Sequence, residues 1–181
     1  MRCLLFCFLF LFLSTITFAQ QAKERVVIEN DEYQYSLLAP KDWDSDMENA
    51  ADIMCDVAFF PDTFSLESAV ESGEPVIQVT AFEKQDENTM EDLNFDLEQY
   101  KKEYAGVKFA AITIKHPSYK TYSKLASVEG VFYQYLTYIN AGTNFANAIS
   151  VAMNTAEYPA TEAQIKAFEA VVASLKMKDL P

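Results

Sequence analysis

A nucleophilic centre built on serine or cysteine needs an imidazole to take the proton, and this sequence has one histidine, His116. It precedes Pro117 at the end of a strand-like run, with Ser118 beside it and Cys55 far off in sequence. That is the setting of a surface histidine rather than of a catalytic pair. Zinc sites need clusters of histidine and cysteine. Glycines 73, 106, 130 and 142 are too scattered to cradle a phosphate. Carboxylates are abundant, with 27 acids against 14 bases. Asp42, Asp44, Asp46 and Glu48 alternate in one stretch, and such a stretch offers several oxygens to a hard cation such as calcium. The EF-hand pattern fails, because its sixth and twelfth positions counted from Asp42 are Met47 and Ile53. Weak calcium binding and a small periplasmic hydrolase working with paired carboxylates both stand as alternatives.

The distribution of charge is more pointed than any of these. Between Glu29 and Glu98 lie 20 acids and two bases, Lys41 and Lys84; from Gln99 onward there are nine lysines and six acids. Lys101, Lys102, Lys108, Lys115, Lys120 and Lys124 fall within 24 residues, interleaved with Tyr104, Phe109, Tyr119 and Tyr122. Tyrosine is enriched at interfaces, and charge steers encounter. The candidate interaction face is therefore these six lysines with Tyr119 and Tyr122, and it would dock an envelope protein or a small ligand. The same lysines also read as complements to the acidic segment within the fold, or as a solvated face. A net charge of −13 argues against a nucleic-acid partner, since phosphate binding is driven by lysine and arginine. No cofactor is called for.

Residues 1–19 read as a Sec signal peptide: Arg2 supplies the positive end, Cys3 to Leu13 an unbroken run of 11 apolar residues, and Thr17-Phe18-Ala19 a small-residue cleavage site. An uninterrupted run of that length falls short of the ~20 residues a spanning helix needs, so no stable anchor remains after cleavage. The expected mature chain starts at Gln20, is periplasmic or secreted, carries a net charge of −14, and keeps one cysteine of three, Cys55. It must hold together by packing, without an internal disulfide. Cys55 is expected as a buried small hydrophobe.

Residues 20–181 then read as one domain. Arg25–Glu29 and Tyr33–Leu38 make a hairpin across Asn30-Asp31. Lys41–Ala50 reads as an exposed acidic loop anchored by Trp43, and 53–59 as a strand by alternation. A short helix over 65–71 and a strand over 75–82 follow. Asn88 to Glu91 resembles a capping box, opening a helix with an apolar stripe at Met90, Leu93, Leu97, Tyr100 and Tyr104, closed by Gly106. Four strands come next, over 107–115, 122–128, 131–139 and 145–153. The last has large residues on one face (Phe145, Ile149, Val151, Met153) and small ones on the other (Ala146, Ala148, Ser150, Ala152). The small face is expected to receive the C-terminal helix that opens at a second capping box, Thr161 to Gln164. The sum is an α+β domain, an antiparallel sheet sandwiched by helices.

The element order has a further signature, Tyr33-x-Tyr35-Ser36-Leu37 followed by Pro40-x-x-Trp43, with a terminal helix ending Val-Val-Ala-Ser-Leu-Lys176. In these motifs, and across residues 26 to 178, the chain resembles the PsbP-like superfamily. The resemblance implies an α/β/α sandwich and non-catalytic accessory, chaperone or adaptor work in an exported protein. It carries no catalytic residues with it.

Overall fold

The structure is a computed structural model and describes residues 25–85 and 87–178. The expected signal peptide lies outside the described residues. Among those described, no helix is long and apolar enough to cross a membrane.

The chain opens with the expected hairpin. Strands β1 (Arg25–Glu29) and β2 (Gln34–Leu38) pair antiparallel from Arg25↔Leu38 to Glu29↔Gln34. Asn30 makes the turn by accepting the Glu32 and Tyr33 amides on Oδ1, both at 2.9 Å.

The acidic stretch departs from expectation. Trp43–Asp46 is a strand, β3, paired with β4 (Val57–Pro61) from Trp43↔Pro61 to Asp46↔Ala58. It is one of the two edge strands of its sheet, where acids discourage further pairing, while Trp43 alone turns into the core. Residues 53–55 are likewise not strand. A 3-10 turn over Ala50–Ile53 ends at Met54, which takes a left-handed φ of 58°. Ile53 and Cys55 reach the apolar cluster beneath from this turn, so the alternation had a different origin.

Helix α1 (Leu66–Ser72) is closed by a Ser65/Ser68 capping box at one end and Gly73 at φ 70° at the other. Strand β5 (Val76–Glu83) leads to α2 (Thr89–Glu103). Asn88 caps α2 by accepting the Met90 amide, in place of the reciprocal box expected with Glu91. The meander β6 (Lys108–Ala111), β7 (Lys120–Val128), β8 (Phe132–Asn140) and β9 (Asn147–Thr155) follows. Helix α3 (Glu162–Ser174) starts at the expected Thr161/Gln164 box, and β10 (Lys176–Lys178) pairs with β2.

Two antiparallel sheets result: β1-β2-β10, and β3-β4-β5-β9-β8-β7-β6. One face of the larger sheet offers Val57, Phe59, Ile77, Val79, Ile149, Val151 and Met153 to Phe168, Val171 and Val172 of α3, with Tyr35 and Leu37 of the small sheet in the same cluster. The other face carries both remaining helices, α1 through Leu66 and Ala69 over Ala58, Phe60 and Val76, and α2 through Leu93 and Leu97 over Ala126, Leu136 and Tyr138. This corrects the placement of α3. It packs on the large-residue face of β9, and the small residues face the side of α2, where Ala152 packs against that helix's cluster. Bulky β9 side chains need a thick layer over them, which α3 and the small sheet together supply.

Candidate functional site

On the two-helix face, α1 lies over β4 and β5, and α2 over β7 and β8. Strand β9 and the part of β5 beyond Val76 lie between them as the floor of a trough. Gln78 faces Ala152 and Thr80 faces Ser150 across the ladder, and all four are half-buried. The floor is polar and mostly self-satisfied: Gln78 Nε2 donates to Ile53 O at 3.2 Å, Asn154 Nδ2 to Gln78 Oε1 at 3.2 Å, and Ser150 Oγ to Thr80 O at 3.4 Å. At the α1 end the trough widens to a cavity of about 280 Å³ bordered by Val70, Gln78, Val131, Phe132 and Asn154. Val70, Val131 and the neighbouring Met54 are all exposed.

At the α2 end lies a cleft of about 340 Å³. Its α2 wall is Asp92, Phe95 and Asp96; its sheet wall is Thr80, Phe82, Tyr138 and Ser150. Asp96 accepts the Tyr138 hydroxyl, and burial, with this carboxylate, pushes the Tyr138 phenol well above its ordinary range. The Phe82 ring packs on Tyr138 at 5.1 Å. Asp92 is only 6% exposed. Its Oδ1 accepts the Gln85 amide at 3.1 Å, and among the described residues its Oδ2 has no hydrogen-bond partner. Asp92 and Asp96 were missed in the sequence, although a four-residue spacing flanking Leu93 and Leu97 puts both on the border of the helix's buried stripe.

The lysine–tyrosine set is divided by the fold. Lys120, Tyr122 and Lys124 alternate along β7 and share the α2 side of the sheet with Ala126. The Lys120 ammonium sits 4.9 Å from the centre of the Tyr122 ring, and the Tyr122 hydroxyl donates to Asn88 Oδ1 at 2.8 Å. Lys101 joins this side, 6.0 Å from the Phe109 ring and paired with Glu98 at 2.5 Å. Lys102 is exposed one residue on. Lys108 pairs across the ladder with Ser127, on the opposite face to Lys124. Lys115 stands exposed in the β6–β7 connection. Tyr119 packs against the α3-side core, and its hydroxyl accepts the Met177 amide at 3.3 Å. Ion pairs between described residues are local: Lys41–Asp42, Lys101–Glu98 and Lys166–Glu162.

The groups suited to nucleophilic chemistry are engaged elsewhere. His116 Nδ1 accepts the Ser118 and Tyr119 amides at 3.0 and 2.9 Å, which leaves the proton on Nε2 to donate to Leu175 O at 3.0 Å. The ring stacks on Tyr119 at 4.3 Å. Burial lowers its pKa, against an opposing contribution from the Leu175 carbonyl. Cys55 is 8% exposed, donates weakly to Ala50 O, and is pushed up to about 11, chiefly by burial. In the acidic stretch, Asp46 holds the turn by accepting the Asn49 amide and side chain at 2.9 and 2.7 Å, bonds that lower its pKa. Among the described residues, no group of three or more His, Cys, Asp or Glu is placed to hold a metal ion. The four alternating acids are therefore not brought together as a calcium site.

Neither a protein-family model nor a curated protein matches the chain. Among solved structures it is similar to cyanobacterial PsbP (CyanoP) from Synechocystis sp. PCC 6803, at 16% identity and a TM-score of 0.53, over 92% of this chain and 99% of that one. It is also similar to a crystal structure from Bacteroides thetaiotaomicron VPI-5482, at 13% identity and a TM-score of 0.48, over 80% of this chain. The chain spans 45% of the length of that protein. With its antiparallel sheet held between helices and a near full-length match to CyanoP, the chain has a PsbP-like fold.

Proposed function

We propose that this protein is exported by its N-terminal segment and acts in the cell envelope as an accessory protein, docking onto another protein rather than catalysing a reaction. The observation that carries this reading is the contrast in how reactive and charged groups are used. His116, Cys55 and Asp46 are spent on backbone hydrogen bonds and burial, while Lys120 and Lys124 project beside Tyr122 from one strand face and make no ion pair with a described residue. Desolvating lysine beside an aromatic ring favours an acidic partner surface.

The test is affinity capture from the native envelope with the tagged protein and with a Lys120→Glu, Lys124→Glu variant, each at low and high salt. The reading requires a partner that is retained at low salt, shed at high salt and lost with the variant. Capture that ignores both salt and charge reversal overturns it. Intact mass of the native protein tests export separately, with Gln20 expected at the new N-terminus. A carboxylate hydrolase remains the second reading, because the α2 cleft brings Asp92 and Asp96 beside a tyrosine hydroxyl.

A further inference from the structure

A carboxylate oxygen taken out of water without a hydrogen-bond donor is costly, and the cost is relieved by a cationic donor more than by a neutral one. Asp92 presents that situation at the wall of the α2 cleft. Its Oδ1 is satisfied by the Gln85 amide, while Oδ2 is buried and unpartnered among the described residues. The rest of the cleft supplies further acceptors in the Asp96 carboxylate and the Ser150 and Thr80 hydroxyls, and Phe82 and the half-exposed Phe95 present rings beside them. A divalent metal does not suit it, since no three ligating side chains converge among the described residues and hard cations want six or more oxygens. Carboxylates beside aromatic rings suit a planar guanidinium, which forks onto a carboxylate and stacks on a ring at once.

Among the described residues, no cationic side chain lies in the wall of the cleft. Its two arginines are Arg2, outside the described residues, and Arg25, whose guanidinium is held by Ser36 and Ser174 on the opposite side of the molecule. Lys84, adjacent in sequence to the cleft, donates to Gly142 O at 2.9 Å instead.

We infer that the cleft between α2 and strands β5, β8 and β9 binds a guanidinium group, with Asp92 as its buried hydrogen-bonding anchor and Phe95 as its stacking face. The site is separate from the lysine face of β7 and stands or falls independently of it.

The experiment is a titration of the isotopically labelled protein, followed by amide and aromatic NMR shifts, with three probes: agmatine, N-acetylarginine amide and butylammonium. Both guanidinium probes are expected to move the Gln85 amide and the Phe95 and Tyr138 rings together, and butylammonium to bind more weakly. Asp92→Asn keeps an oxygen for Gln85 and so retains the fold, yet it is expected to weaken binding at least about tenfold. Phe95→Ala, at an exposed position, tests the same site without touching a buried group and is expected to weaken binding severalfold. Asp52→Asn, in the separate acidic groove beside α1, is expected to leave binding unchanged. Equal binding of both guanidinium probes assigns the site to an arginine side chain of a partner. Binding of agmatine alone assigns it to a free guanidino compound. Shifts scattered over the acidic surface, equal binding of butylammonium, or affinity unchanged in both Asp92→Asn and Phe95→Ala would overturn the inference.

Discussion

Asp56 joins two parts of the molecule that share no ladder. Its Oδ2 accepts the Tyr35 hydroxyl of β2 at 2.8 Å and the Ala81 amide of β5 at 2.7 Å, so one oxygen ties the small sheet to the large one. Tyr35 is 1% exposed, and burial, then the nearby Asp56, push its phenol well above the ordinary value. Asp56→Ala leaves both donors without their acceptor, and at about 1–3 kcal/mol for each buried donor left unsatisfied the expected loss is about 2–6 kcal/mol. Tyr35→Phe removes one donor and leaves Asp56 still bound to Ala81, for an expected loss of about 1–2 kcal/mol. Combining them makes the hydroxyl's loss partly redundant, so a double-mutant cycle should show a coupling of about 1–2 kcal/mol. Trp43, the sole tryptophan and 8% exposed in the core, reports unfolding by fluorescence in urea, and the slope should hold while the midpoint falls. A coupling indistinguishable from zero, or an Asp56→Ala variant within about 0.5 kcal/mol of the parent, would refute the assignment of Asp56 as the clasp between the sheets.

Other expectations are simpler to check. His116 has a lowered pKa in the fold, so the unfolded chain binds the extra proton first as pH falls. Its contribution is intact above about 6.5 and is lost below it; urea midpoints between pH 7.5 and 5.5 should fall with acid and flatten in His116→Gln. With residues 1–19 removed, Cys55 is the only thiol, and it should resist alkylation at neutral pH in the folded protein and react promptly in denaturant. Phe168 is fully buried between α3 and the sheet, and Phe168→Ala should cost about 3–5 kcal/mol by urea unfolding. Gly73 closes α1 at φ 70° with Ala156 Cβ 3.7 Å from where its own Cβ would be. The space tolerates alanine but the backbone does not, so Gly73→Ala should cost about 1 kcal/mol in thermal or urea melts.

Periodicity and caps were legible wherever one physical signal acted alone. The middle of the α2 stripe at Leu93 and Leu97, the box at Thr161, the Asn30 turn and the alternation along β9 each specify a local geometry that tertiary structure had no reason to override, while Met90 and Tyr104 at the ends of that stripe are exposed. The failures came where two signals overlap. Trp43 and the two acids Asp44 and Asp46 read as a loop because edge strands carry loop-like composition. Ile53 and Cys55 alternate with polar neighbours, but Met54 in a left-handed conformation folds them onto the core as a turn. The position of α3 depended on which of two helices covers which face, and pattern alone does not distinguish them. Strand spacing sets Lys120 and Lys124 of β7 on one side of the sheet, whereas Lys108 and Tyr119 lie on the other, a separation that charge counting does not see. Asp92 was passed over because the stripe was read from apolar residues alone, although its position beside Leu93 already set it on the border of the buried face.

The three-stranded sheet also has a kinetic meaning. Its middle strand pairs with the hairpin partner next to it in sequence and with β10 at the far end of the chain, and Leu38 is bonded to the Ser174 hydroxyl 136 residues away. Arg25 reaches the same residue's carbonyl across 149 positions. Closing so long a loop must precede any reward from these contacts, so the pairing of β10 with β2 forms only after α3 and β10 are available. A polypeptide still leaving the ribosome holds the hairpin but lacks this second pairing until β10 arrives.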